Sequence, residues 1–261
     1  MKRTAARYWV AGFSLLVLMG IALVTARAQG GVTPQLYLPK VIGGKPEPLD
    51  CNIPNTNYAS LSVSGPPLAV NPATSPDVNL GYRGYALTNQ PLTLILYDGK
   101  APDTKAPQFR GLFGNWRTPA FTHTYQRYRW DENGPTDTYS PWPVTVLGMG
   151  VTKGETIYTP DSGYDIGGGY EYMVMYAEAT RITIHIGRED DFPGYVAHIE
   201  DVCVDPDLLA LYNQLHAAGR DELPALKGHQ PFGKATGSEI KIAIRDTGHF
   251  LDPRSQRDWW Q

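Results

Sequence analysis

Two of the six histidines in this 261-residue chain, His185 and His198, sit in short apolar runs on either side of the turn Gly187–Gly194. Facing imidazoles across such a hairpin, with Glu200 beside them, would form a metal-binding or acid–base pair. That requires a register placing both rings on one face, and a slip of one residue sends them to opposite faces. The plain alternative is two hydrogen-bonded histidines within a sheet. The turn carries Glu189, Asp190 and Asp191, an oxygen-rich tip that suits calcium, or glycoside hydrolysis if a second carboxylate lies about 5 to 9 Å away. A solvated hairpin tip accounts for the same residues. Asp246, Asp252 and Asp258 recur every six residues and read as turn chemistry. No Gly-x-Ser-x-Gly elbow is present, and the Gly167–Gly169 run is not followed by a helical pattern, so neither a serine nucleophile nor a phosphate loop is indicated. Aromatic residues are in surplus: Trp116, Tyr125, Tyr128, Trp130, Trp142, Trp259 and Trp260. Core packing is the default for such rings, but exposed ones stack on sugars, which makes Tyr195, Trp130, Trp259 and Trp260 candidate glycan contacts.

The segments that must position these residues begin with an address. Lys2, Arg3 and Arg7 precede an uncharged run from Tyr8 to Ala26 that closes on Ala26-Arg27-Ala28, the pattern of a secretory signal peptide over 1–28. An uncleaved anchor is the other reading, since such a run just spans a bilayer. Cleavage after Ala28 removes four cations and no acid, taking the net charge from −3 to −7. With no basic block elsewhere, nucleic acid is excluded as a partner. In an oxidising compartment the only two cysteines, Cys51 and Cys203, are expected to form one disulfide, worth about 4 to 5 kcal/mol in the chain-entropy model; two separate thiols are the alternative. Residues 29–50 read as a flexible linker and 51–142 as an N-terminal β region.

Turn-bounded, β-branched or aromatic runs recur at Ser60–Val63, Leu92–Tyr97, Thr122–Trp130, Val144–Leu147, Thr156–Tyr158, Tyr172–Tyr176, Arg181–Ile186, Tyr195–Ile199 and Ile240–Ile244. Their spacing predicts an all-β protein, a barrel-like β-sandwich with the N-terminal strand region packed on it. One helix interrupts it. Asp205 caps, Pro206 and Asp207 open the first turn, Leu208, Leu211, Tyr212 and Leu215 form the buried stripe, and Gly219 stops it.

Over residues 143–261 four segments occur in a familiar order. Gly154-Glu155-Thr156-Ile157-Tyr158-Thr159-Pro160-Asp161-Ser162-Gly163 is similar to G-x-x-V-x-A-P-x-x-G, and Gly194-Tyr195-Val196-Ala197-His198-Ile199 to T-x-Y-a-H-L. Leu226 to Gly233 is similar to V-x-x-G-q-x-I-G, and Glu239 to Pro253 to H-L-H-F-E-V-R-x-x-G-x-x-v-D-P. Together they resemble the lysostaphin-like peptidoglycan endopeptidases, which are zinc metallopeptidases. The resemblance implies a compact strand-rich domain, but its metal ligands are missing. The H-x-x-x-D motif has no counterpart in Val144–Val151, and the H-x-H positions fall on Glu239 and Lys241, leaving His198 at the place of the family's non-ligand catalytic histidine. A protonated lysine has no lone pair to give a metal. The expectation is therefore a secreted, non-catalytic cell-surface protein without metal or other cofactor, binding glycan, peptidoglycan or a surface protein and having no membrane span once the leader is removed. The alternative is an active hydrolase, using His185, His198 and Glu239 as unconventional ligands or acids near Asp190 on carbohydrate.

Overall fold

A computed structural model describes residues 48–97, 101–138, 140–191 and 193–261. The expected leader, and residues 29–47 of the expected linker, lie outside the described residues. The strands are β1 (Ala59–Ser62), β2 (Tyr85–Thr88), β3 (Phe121–Arg127), β4 (Trp130–Asp131), β5 (Gly134–Pro135), β6 (Val146–Gly150), β7 (Thr156–Tyr158) and β8 (Tyr172–Glu178). They continue with β9 (Arg181–His185), β10 (Tyr195–Glu200), β11 (Val202–Val204), β12 (Glu222–Leu226), β13 (Pro231–Ala235), β14 (Glu239–Asp246) and β15 (His249–Leu251). Among the described residues three α-helices accompany them: α1 (Leu80–Arg83), α2 (Pro206–Ala217) and α3 (Gln256–Trp259).

The all-β class holds. Ten strands form one antiparallel sheet in the order β1-β12-β8-β9-β10-β14-β6-β3-β2, with β15 alongside β14, and β11-β13-β7 form a small second sheet. Strands from both sides of residue 142 belong to the large sheet: β1 pairs with β12 and β3 with β6. Alternation explains the layering, because successive side chains of a strand point to opposite faces. Ile182 and Ile184, Ala197 and Ile199, and Ile240, Ile242 and Ile244 turn one way and share a core with Val202 and Val204 of β11, Phe232 of β13 and Ile157 of β7. Helix α2 forms where its caps predict it, with Asp205 accepting from the Asp207 amide and Leu208 and Tyr212 buried, while Leu211 and Leu215 are half-buried. The Cys51–Cys203 disulfide is formed and ties the segment before β1 to β11.

Leu92–Tyr97 is not a strand. Ile95 bridges Ser255 in parallel, exchanging hydrogen bonds with the Arg254 carbonyl and the Gln256 amide, so this run lines the C-terminal turn with Leu92 and Leu96 exposed. The strands β12 and β13 carry Pro224 and Pro231, which hid them from a reading by composition. Pro224 is tolerated because the β12–β8 ladder involves only Ala225 and Leu226.

Candidate functional site

The other face of β9, β10 and β14 is polar. His185 pairs with Val196 and His198 with Thr183, so the register is two residues away from pairing the histidines with each other, and both rings lie on one face. Arg181, Thr183 and His185, then Val196, His198 and Glu200, then Glu239, Lys241, Ala243 and Arg245 occupy it strand by strand. From β6, β3 and β2 the same face receives Gly148, His123, Tyr125 and Tyr85.

One end of this face is closed. The segment through α1 lies over it, with Leu80 packed on Val146, Ala243 and Phe250. His198 is fully buried. The Thr183 hydroxyl donates to the Val78 carbonyl (2.5 Å) and its lone pair accepts from His198 Nδ1–H at 3.1 Å. Nε2 then bears the lone pair and has no hydrogen-bond partner among the described residues. Burial, reinforced by the Arg245 and Arg83 charges, holds the imidazole neutral, well below its ordinary pKa. The ring stacks on Phe250, which is surrounded by the guanidinium groups of Arg83, Arg127 and Arg245 at 5.1 to 5.2 Å from its centre. Asp77 accepts from Arg83 at 2.7 Å and lies 3.2 Å from Arg245. His185 is buried as well, donates from Nε2 to the Pro193 carbonyl (2.6 Å), and is shifted down by burial.

The open end is built around Glu239. Its carboxylate accepts from the Thr122 hydroxyl, from His123 Nδ1–H (2.5 Å) and from the Tyr125 hydroxyl (2.9 Å), with Lys241 Nζ 3.3 Å away. Burial alone would raise its pKa, but these donors hold it below the usual carboxylate range. Gly148 makes room: a Cβ there would lie 2.5 Å from the Glu239 carboxylate. The Lys241 ammonium donates to Asp201, faces the Tyr85 and Tyr125 rings at 6.0 and 5.6 Å, and is kept protonated by Asp201 and Glu239 against the effect of burial. Next to it Glu200, 3% exposed, is bound by Arg181 Nε at 2.9 Å. Burial pushes Glu200 up to about 7 despite that arginine. The Arg181 guanidinium packs against Gly81 of α1, where a Cβ would collide with it.

The hydrolase candidates His185, His198 and Glu239 therefore share a face without converging. His198 pairs with Ala243, four residues along β14 from Glu239, a separation of about 13 Å at roughly 3.3 Å per strand residue. Asp190 is corrected from a solvated tip to a buried anchor. Both its oxygens accept from Arg220 at 2.7 Å and one also from the Leu68 amide, so it offers no free acid for glycoside chemistry. Trp259 and Trp260 are likewise corrected: they are buried around Phe109, donate to the Asp252 and Pro253 carbonyls, and have no face left for a sugar. Tyr195 is half-buried edge-on to Trp259, and Trp130 is half-buried against Tyr82, donating to the Arg83 carbonyl.

Zinc, implied by the resemblance, does not fit these side chains. At the ligand positions stand Glu239, whose oxygens are already engaged, and Lys241, an ammonium that repels a cation. Among the described residues no three or more His, Cys, Asp or Glu side chains are grouped to hold a metal ion. Sequence reasoning missed His123, Tyr85, Arg181 and Asp201 as members of the cluster. The one available signal was the alternation of Thr122–Trp130, which puts His123 and Tyr125 on one face of β3. Comparison with known proteins returns no match to a family model, to a curated protein or to a solved structure.

Proposed function

We propose that the chain is an exported, non-catalytic binding protein of the cell envelope, whose second half is an endopeptidase-like domain that holds cell-wall glycan instead of cutting it. The observation carrying this reading is the closed circuit at the open end. Lys241 stands at a ligand position of the resemblance with its ammonium bound by Asp201 and Glu239, and Glu239 spends its lone pairs on Thr122, His123 and Tyr125. Supporting it, the segments that carry the resemblance are neighbours in space: β7 pairs with β13 and β10 with β14. The positively charged leader and the formed disulfide favour an oxidising, extracytoplasmic location. No helix among the described residues is long and apolar enough to cross a membrane.

The observation favouring chemistry is the His123–Glu239 pair, in which a carboxylate orients an imidazole whose ring is half exposed. The hydroxyls nearest to it, Thr122 and Tyr125, both donate to Glu239, so the pair lacks a nucleophile. The test is incubation of the mature protein with purified peptidoglycan sacculi, combined with metal analysis. Cosedimentation without soluble muropeptides or stoichiometric zinc is expected; muropeptide release overturns the proposal.

A further inference from the structure

A second surface, away from the polar face of the large sheet, has the elements of a sugar site. The loop between β12 and β13 turns at His229, whose φ of 52° is a left-handed conformation that side-chain-bearing residues rarely adopt. Two aromatic rings contact its ring: Tyr158 lies almost parallel to it, with centroids 4.5 Å apart and an interplanar angle of 11°, and the Trp116 indole lies at the same centroid distance, tilted by 31°. Trp116 is itself left-handed, with φ 54°, and 43% exposed. Two left-handed backbones thus hold an indole against the His229–Tyr158 pair instead of burying it. His229 Nδ1–H donates to the Gly111 carbonyl (2.7 Å), fixing its ring, and Gly114 leaves space for Tyr158.

Gln230, the next residue, lines an open cleft of about 420 Å³ with Asn55, Asn57, Tyr170, Lys227 and Pro231. Gln230 braces the loop, accepting from the Lys227 amide and donating to the Asn57 carbonyl. The side-chain amides of Asn55 and Asn57 and the Tyr170 hydroxyl form no hydrogen bond with any described residue, and Lys227 Nζ lies over the Tyr170 ring at 5.7 Å. A flat aromatic ledge takes the C–H face of a pyranose, and amides, a phenol and an ammonium take its hydroxyl, N-acyl or carboxylate substituents.

We infer that Trp116, set against His229, and the adjoining cleft bind a polysaccharide chain, the ledge seating one sugar ring and Asn55, Asn57, Tyr170 and Lys227 bonding its neighbours. This rests on the reading of the protein as a glycan holder and specifies where the glycan sits. The test is isothermal titration calorimetry of the full mature chain with chitotetraose and with tetragalacturonate, uncharged and carboxylated probes, beside Trp116→Ala and Asn57→Ala. Both positions are exposed, and unchanged circular dichroism and melting temperature report an intact fold. Saturable binding of either probe, weakened at least tenfold by Trp116→Ala and severalfold by Asn57→Ala, is the expected result. The site is overturned if neither probe binds the wild type, or if both variants bind as tightly as it does. Muropeptide release in the sacculus assay would instead remove the glycan-holder reading and leave the titration result standing on its own.

Discussion

The two ends of the polar sheet face use similar residues in opposite ways. At the closed end a histidine, His198, is fully buried and neutral, and three arginines gather around Phe250. At the open end a histidine, His123, has 53% of its side chain exposed, and a lysine faces two tyrosines. Both ends carry cations on aromatic rings and an imidazole in a hydrogen-bond chain. What differs is the cover. The segment through α1 seals the first end with Leu80 and the Val78 carbonyl, whereas the second meets solvent. Cover turns the same chemistry into packing at one end and leaves an addressable cluster at the other.

The largest effect is expected from breaking the closed end at its bridge. Thr183→Val removes the hydroxyl joining Val78 to His198 and leaves a buried carbonyl and a buried N–H without partners. Leaving such groups unpaired costs roughly 1 to 3 kcal/mol each, so a loss of about 2 to 6 kcal/mol in urea unfolding is expected. A loss below about 0.5 kcal/mol would mean that the bridge is not what holds this end together.

The pH response separates two buried groups of this face by sign. The folded pKa of His198 is depressed, so in acid the unfolded chain takes up more protons than the folded one. Its stability contribution is present above about 6.5 and is lost as the pH falls below that value. Glu200 behaves the other way. With a folded pKa of about 7 against 4.5 when exposed, its contribution is complete below about 4.5 and is lost as the pH rises through 7. Glu200→Gln should therefore make the slope of stability against pH more positive between about 4.5 and 7, by up to about 1.4 kcal/mol per pH unit. His198→Gln should make it more negative below about 6.5. Chemical denaturation across pH 4 to 8 measures both, and equal slopes in all three proteins would mean that burial shifts neither group.

Much of this arrangement was legible in the chain, and the limits are physical. Short, turn-bounded runs of β-branched and aromatic residues over Arg181–Ile186, Tyr195–Ile199 and Ile240–Ile244 marked three central strands. The caps of α2 gave its bounds, since Asp205, Pro206 and Gly219 act locally. Register was not readable, because the turn of residues 187–194 sets which residue opposes His185. Nor were the partners of Glu239. His123 and Tyr125 come from a strand more than a hundred residues earlier, and nothing local links β3 to β14 through β6. Trp259 and Trp260 stood as glycan candidates only because an aromatic surplus carries no sign of which rings are buried; in the short helix α3 and its cap both reach Phe109.

At the open end, Lys241→Met tests whether the ion pairs matter to stability. Its side chain is 14% exposed, and Asp201, at 41%, rehydrates easily once the lysine is lost. A modest loss of about 1 to 2 kcal/mol is expected, smaller than at Thr183 because solvent reaches the orphaned carboxylate. The sharper readout is the Glu239 carboxyl, which should titrate at higher pH without its cation, as followed by carboxyl NMR shifts.

The smallest effect is expected for His123→Ala. Exposed ion pairs contribute about 0 to 1 kcal/mol, and Glu239 keeps Thr122, Tyr125 and Lys241 when His123 is removed. Stability should change by less than about 1 kcal/mol, while the Glu239 carboxyl moves up toward its ordinary value because the first of the donors that depress it is gone. Binding to sacculi should be unchanged as well, because the glycan is inferred to sit on Trp116 and the cleft beside Gln230. A loss of binding at constant stability would instead make the open end, which α1 leaves uncovered, the ligand surface.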